Sequence, residues 1–319
     1  MLEVKHLSVQ YHMKEQTVYA VTDVSFKLEK GGSLGIIGES GSGKSTLALA
    51  ILRMHNPKTT SVTGEILYHG LNLLPISEAE YKKYRWKIIS AVFQKSMNNL
   101  SPVHRIGTQF EDIYRVHYPG AKRSKIKDTV VQLLEAVNLS PRIYTLYPHE
   151  LSGGMLQRVS IALGLLFKPQ LIIMDEATTA LDVITQGQIL EEIKELELIS
   201  NVSRIMITHD LSVVATACKK ILVLYAGEMM EFGDVKDVLK KSLHPYTQGL
   251  IASFPSLRGK KEKIQSIPGS LPNLAIQSPG CIFADRCKKC MSICRLKKPE
   301  LVHVGAQDVR CHLYDPFNC

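Results

Sequence analysis

Leu34-Gly35-Ile36-Ile37-Gly38-Glu39-Ser40-Gly41-Ser42-Gly43-Lys44-Ser45-Thr46 is a short apolar run that breaks into a glycine loop. From Gly38 to Ser45 it fits the pattern G-x-x-x-x-G-K-[ST]. Downstream, apolar residues at 47, 48, 51 and 52 have helical spacing, so the loop stands between a strand and a helix. That is the context a phosphate-binding loop requires. Glycines let the backbone wrap around phosphates, and the exposed N–H groups and helix N-terminus supply positive potential. Lys44 is placed for the β- and γ-phosphates of a nucleotide and Ser45 for Mg²⁺. Gly38, Ser40, Gly41, Ser42, Gly43 and Thr46 complete the candidate cradle.

Outward from the loop the chain alternates strand and helix signals. Residues 2–10 and 18–28 read as strands, the second with Val18, Ala20, Phe26 and Leu28 in period two. Strand signals return at 88–93, 171–174, 205–207 and 221–224, with helical stretches near 185–198 and 211–219. Between 100 and 168 the pattern is helical, and Ile126, Val130, Leu133, Leu134 and Val137 mark one face. This predicts a mostly parallel sheet covered by helices, with a helical insertion. From Pro255 onward prolines, glycines and lysines thicken, which reads as a linker or appendage and not as a continuation of the sheet.

Leu171-Ile172-Ile173-Met174-Asp175-Glu176 is an apolar strand ending in two acids. Behind a phosphate loop, the first carboxylate can hold the Mg²⁺ shell and the second can take a proton from attacking water. Leu151-Ser152-Gly153-Gly154 opens an amphipathic helix, and its hydroxyl, bare N–H groups and helix dipole make a second anion site.

In this order, loop, Ser-Gly-Gly helix and acid strand resemble the ABC ATPases over roughly residues 1–243. The resemblance implies further roles. Gln94 matches the glutamine loop, a Mg²⁺ ligand and γ-phosphate sensor; Asp182, in Ala180-Leu181-Asp182, matches the D-loop; His209 matches the switch histidine; Tyr11 matches the aromatic that stacks on adenine. It makes Asp175 and Ser45 Mg²⁺ ligands and Glu176 the general base. Two cassettes stack head to tail, so that ATP lies between Lys44 of one chain and Ser152–Gly154 of the other. One departure is Ala177, where the family often has proline. The implied fold is α/β: a RecA-like P-loop NTPase core (1–99 and 169–243), an antiparallel β part at the N-terminus and a helical signature subdomain (100–168). Residues 244–319 form a small C-terminal extension.

His244-Pro245-Tyr246-Thr247, followed by Gly249-Leu250, resembles a segment of oligopeptide, dipeptide and nickel importer ATPases, and Met155 also suits that subgroup. Five of the seven cysteines lie between Cys281 and Cys311. The spacing of Cys281, Cys287, Cys294 and Cys311 is similar to the four-cysteine element of those importers, some of which carry a [4Fe–4S] cluster. Four thiolates equally suit Zn²⁺, and Cys290 leaves the third ligand open. The family has prolines where this chain has Ile282 and Asp285. The resulting expectation is a metal-stapled appendage with a [4Fe–4S] cluster, zinc being the alternative.

Bulk properties agree with this class. The formal charge is +9, and from Arg258 onward eleven Lys/Arg face five Asp/Glu. No apolar run approaches the roughly 20 residues of a membrane helix, and Met1-Leu2-Glu3-Val4-Lys5-His6 shows no signal segment. The implied setting is peripheral, on the cytoplasmic face of the membrane. The implied partners are a second ATPase chain, two transmembrane permease subunits and an external solute-binding protein, with no nucleic acid. Peptides are the expected cargo, with nickel or oligosaccharides as alternatives. The rival is a non-transport ABC ATPase of DNA repair or translation. Against it stand a single P-loop, where ribosome-linked members usually carry two cassettes, and the absence of a sustained heptad.

Overall fold

Leu2, Val4, Leu7 and Val9 are buried along one strand while their neighbours are not. The alternation slips once, at His6, whose φ of 48° marks the irregularity between Val4 and Leu7 in the pairing with the next strand. This is β1 (Leu2–His12). The computed structural model describes residues 1–93, 100–177, 186–191, 194, 201–253 and 267–315. Contacts divide the chain into two units, Met1–Ile76 with Met206–Cys319, and Ser77–Ile205.

In the first unit β1, β2 (Thr17–Leu28), β4 (Thr60–Tyr68) and β5 (Leu71–Asn72) form an antiparallel sheet in the order β2-β1-β4-β5. β3 (Ser33–Ile37) is buried at every position and pairs in parallel with β9 (Lys220–Tyr225). Continuous burial is what a strand covered on both faces requires, and it explains the uninterrupted apolar runs. α1 (Lys44–Ile51) follows β3 and buries Leu47, Ala48 and Ile51. α6 (Leu211–Ala217), α7 (Val235–Lys240) and α8 (Pro245–Ala252) complete this part.

The C-terminal segment departs from the sequence reading. β10 (Glu228–Asp234) pairs antiparallel with β9 on one side and with β12 (Gln307–Arg310) on the other, through Glu231↔Val309 and Gly233↔Gln307. β11 (Leu301–Val304) then pairs with β12. The appendage therefore continues the sheet. Val309 and Cys311 pack with Leu243 in a small core of their own, and Arg310 donates to Asp23 Oδ2 at 2.8 Å. α9 (Ser292–Leu296) lies within it. Among the described residues no group of three or more His, Cys, Asp or Glu side chains is gathered closely enough to hold a metal ion. Strand pairing, a small core and an ion pair hold the segment.

The second unit holds α2 (Glu78–Tyr81), β6 (Ile89–Phe93), α3 (Ile106–His117), α4 (Arg123–Ala136), α5 (Gly153–Gly164) and β7 (Leu171–Asp175). β6 and β7 are parallel, from Ile89↔Leu171 to Phe93↔Asp175. β8 (Ser203–Ile207) runs across the division between the units. Ile126, Val130 and Leu134 of α4 are fully buried at four-residue spacing, each contributing about 1.5–3 kcal/mol of burial. Beside them Glu111 is 4% exposed. Burial pushes its carboxyl up, but hydrogen bonds from Tyr144 and Arg123 hold it below its ordinary value. No described helix is long and apolar enough to cross a membrane.

Candidate nucleotide site

The phosphate loop takes its shape from two glycines. A Cβ on Gly38 would meet the Leu224 carbonyl oxygen at 2.1 Å, so nothing larger than glycine fits against β9. Gly43 caps α1 with φ 96°, in the left-handed region, and a Cβ there would meet the Ala20 carbonyl oxygen at 2.4 Å. The Lys44 ammonium lies over the loop and donates to the carbonyls of Gly38 and Glu39, both at 2.8 Å, and to Ser42 Oγ at 3.4 Å. Ser45, in the first turn of α1, is exposed. Gly227 N–H donates to the Ser42 carbonyl at 2.9 Å, which anchors the loop to the turn after β9.

Two other candidates lie in the same unit. Tyr11 Oη is 3.4 Å from Thr46 Oγ1 and 3.3 Å from His55 Nδ1, which sets its partly buried ring beside the first turn of α1. His55 was not among the residues singled out from the sequence. Its Nε2 lies 3.1 Å from the Thr46 carbonyl, and burial pushes its ring below the ordinary histidine value. His209 is exposed at the end of β8. Thr208 N–H before it donates to the Ile36 carbonyl of β3 at 3.3 Å, and Asp210 after it caps α6 through Ser212 N–H at 2.8 Å. His209 is thus fixed beside the strand that leads into the loop.

The second unit carries Asp175, Glu176 and the Ser-Gly-Gly turn. Asp175 closes β7 and is 8% exposed. Glu176 has φ 50°, an uncommon conformation for a residue with a side chain. It turns the chain out of the strand directly after Asp175, so the two carboxylates sit on successive residues at the strand end. Ser152 is the N-cap of α5, its Oγ accepting from Met155 N–H at 3.3 Å. A Cβ on Gly153 would meet nothing within 4 Å, so there is open space beside the head of α5. Gln94 and Asp182 lie outside the described residues, although Phe93, just before Gln94, pairs with Asp175.

Sequence reasoning gave no role to Tyr246, Arg286 and Tyr225, which gather around Glu39. Its N–H donates to Tyr246 Oη at 3.0 Å, and its Oε2 accepts from Arg286 Nη1–H at 2.9 Å. Arg286 donates further to Tyr225 Oη at 3.3 Å. Tyr246 belongs to the His-Pro-Tyr-Thr segment, so that motif now has a physical contact to account for it. Among the cysteines, Cys281 N–H donates to the Cys294 carbonyl at 2.7 Å. Burial, and then the neighbouring thiols of Cys294, Cys311 and Cys287, push the Cys281 thiol up to about 12. Cys311 is pushed up to about 11 in the same way, by burial first. Neutral thiols are what such burial favours.

The chain was compared with known proteins on this footing. The family model for the ABC transporter matches residues 21–179, and the model for the oligopeptide/dipeptide transporter C-terminal region matches residues 230–294. The oligopeptide transport ATP-binding protein AppD of Bacillus subtilis is 39% identical, over 99% of this chain and 97% of the relative. The oligopeptide transport ATP-binding protein OppD of Escherichia coli is 42% identical, over 94% of this chain and 89% of the relative. Among solved structures, a post-hydrolysis dimer of the ATP-binding cassette MJ0796 bound to ADP and Pi is 29% identical with a TM-score of 0.66, covering 74% of this chain and 99% of that one.

Proposed function

Since the chain belongs to the ABC transporter ATP-binding family, with the C-terminal region of its oligopeptide/dipeptide members, and is an ATPase, we propose that its residues divide the work of ATP-driven peptide import as follows. Lys44 and the loop from Gly38 to Thr46 hold the phosphates. Tyr11 meets the adenine. Glu176 takes the proton from attacking water, while His209 and Gln94 sense and hold the γ-phosphate. Ser152, Gly153 and Gly154 act on the nucleotide held by a partner cassette, and Asp182 lies at that interface. The observation that carries this reading is the Lys44 ammonium held at 2.8 Å from two carbonyls of a loop that only glycine can form at Gly38.

Ser45, Asp175 and Gln94 are the residues that would hold Mg²⁺. The exposed hydroxyl at the head of α1 and the carboxylate closing β7 are hard oxygen donors, which suit that ion. When bound, Mg²⁺ offsets charge on the phosphate oxygens. The chain's own residues do the rest: the loop orients, and Glu176 accepts a proton.

Residues 1–99 and 169–243 act as the nucleotide core, 100–168 as the signature subdomain and 244–319 as the importer extension. The importer family works with membrane permease subunits. We place the chain at the cytoplasmic face with a second ATPase chain, two permeases and an external binding protein. Di- and oligopeptides are the cargo, since the relatives are named for them and the matched C-terminal region is theirs. That region also favours import over DNA repair or translation.

The finer reading of Cys281, Cys287, Cys294 and Cys311 as [4Fe–4S] ligands is supported by their spacing and by the contact of Cys281 N–H with the Cys294 carbonyl at 2.7 Å. Set against it, the described side chains are not gathered for a metal. Anaerobic purification with iron, sulfide and zinc assays decides: about four irons per chain supports the cluster, one zinc replaces it, and reactive metal-free thiols end it.

For the nucleotide site the test is calorimetric titration of ATP·Mg²⁺ into the wild-type chain and Lys44→Ala. Binding that is lost on removing the ammonium supports the reading; equal binding contradicts it.

A further inference from the structure

Glu39 occupies a position that the phosphate-loop pattern leaves free, yet it is held at three points. Its carbonyl accepts from Lys44 Nζ at 2.8 Å, its N–H donates to Tyr246 Oη at 3.0 Å, and its carboxylate meets Arg286 at 2.9 Å. The first partner faces the phosphates. The other two come from the C-terminal extension. We propose that Tyr246 and Arg286 are positioning residues for ATP binding, holding Glu39 and through it the loop that carries Lys44. The proposal rests on the reading of that loop as the ATP site.

Burial makes these contacts more than surface decoration. The Arg286 side chain is 7% exposed and that of Glu39 28% exposed, so the pair is shielded from much of the solvent that weakens open ion pairs. Tyr246 is fully buried, where a tyrosine hydroxyl needs a partner, and Glu39 N–H is that partner. The supports are themselves fixed. Tyr225, Tyr246 and Phe283 pack ring against ring, with centroids 4.7 to 5.3 Å apart. Arg286 also donates through Nε to the Pro268 carbonyl at 2.7 Å. The segment after Pro268 reaches back to the N-terminal sheet, where Tyr19 N–H donates to the Leu274 carbonyl at 2.9 Å. Pulling on the extension therefore moves Glu39, and moving Glu39 moves a carbonyl that orients the Lys44 ammonium.

A purely structural role for Tyr246 and Arg286 would lower stability and leave nucleotide affinity alone. The positioning role acts on affinity. The experiment measures ATP·Mg²⁺ binding to the full-length chain and, in the assembled transporter, the split between KM and kcat. Wild type and Lys44→Ala are run first: no binding by wild type, or equal binding by both, breaks the ATP reading itself and not only this proposal. With that control passed, Tyr246→Phe and Arg286→Gln are each expected to raise the Kd and KM for ATP about tenfold, with kcat at saturation within about twofold of wild type. Glu39→Gln is expected to do the same, and Glu39→Gln with Arg286→Gln to be no weaker than either alone. Arg286→Lys, which keeps the charge, is expected to recover part of the loss. Tyr246→Phe keeps the ring and its packing, so it carries the test alone if Arg286→Gln does not fold. Affinity within about twofold of wild type in Tyr246→Phe, or Glu39 and Arg286 effects that multiply, would overturn the proposal.

Discussion

Lys44 and Glu176 could be picked out by residue type and position, but Glu39 could not. The pattern G-x-x-x-x-G-K-[ST] fixes the ends of the loop and is silent about its interior. Tyr246 and Arg286 lie 207 and 247 positions from Glu39, so only folding brings them to it. Two predictions belong at this scale. Gly38→Ala places a Cβ 2.1 Å from the Leu224 carbonyl oxygen, a backbone atom that cannot swing aside. It is expected to cost about 1–3 kcal/mol of stability and to abolish ATP binding, read by urea melts and titration. Ser152→Arg removes the N-cap of α5 and sets a long charged side chain at its head, while leaving the loop untouched. It is expected to keep ATP binding and lose turnover; turnover at the wild-type rate would remove the Ser-Gly-Gly turn from the account.

Most strands and helices were legible because burial imposes periodicity: β1 and much of β2 alternate, β3 and β7 are buried throughout with mostly apolar residues, and Ile126, Val130 and Leu134 repeat at helical spacing. The β11–β12 hairpin was not. Its strands have four residues each and follow a Pro- and Lys-rich stretch whose composition reads as linker. A signal was present all the same. Val304 pairs with Gln307 across Gly305-Ala306, and Gly305 has φ 64°, which is the glycine-bearing two-residue turn of a hairpin. Because β12 holds the edge of β10, Val309→Ala is expected to cost about 2 kcal/mol, read from denaturant midpoints. At the head of α8, His244 Nδ1 accepts from Tyr246 N–H at 3.0 Å, and full burial pushes the ring down to about 3. The unfolded chain therefore binds a proton that the folded chain refuses between its ordinary value of 6.5 and about 3. Stability from this site is full above 6.5 and is lost as pH falls through that window, by up to about 1.4 kcal/mol per pH unit. His244→Asn keeps a capping acceptor and cannot titrate. The gap in melting temperature between wild type and this variant is expected to shift in favour of the variant from pH 7 to pH 5, at roughly constant salt. A gap independent of pH would contradict the buried neutral histidine.

At the scale of the molecule, the proposed roles put the Ser-Gly-Gly turn and the phosphate loop in sites of different copies, which would make catalysis a property of a pair of cassettes. Turnover per chain is expected to rise with chain concentration or with an added partner cassette, and to be highest in the membrane complex. Cells lacking the chain are expected to lose uptake of labelled di- or oligopeptides and to regain it with the wild-type chain. Cargo identity stays illegible in this sequence for a physical reason: on the proposed reading, the residues that touch cargo belong to partner proteins and not to this chain. The central claim is that Glu176, turned out of β7 at φ 50° beside Asp175, is the base that consumes ATP held by Lys44. The most direct measurement sets ATP binding against phosphate release in the assembled transporter for wild type and Glu176→Gln. The account predicts unchanged or tighter ATP binding with phosphate release down at least about a hundredfold. Phosphate release at the wild-type rate from Glu176→Gln would contradict it.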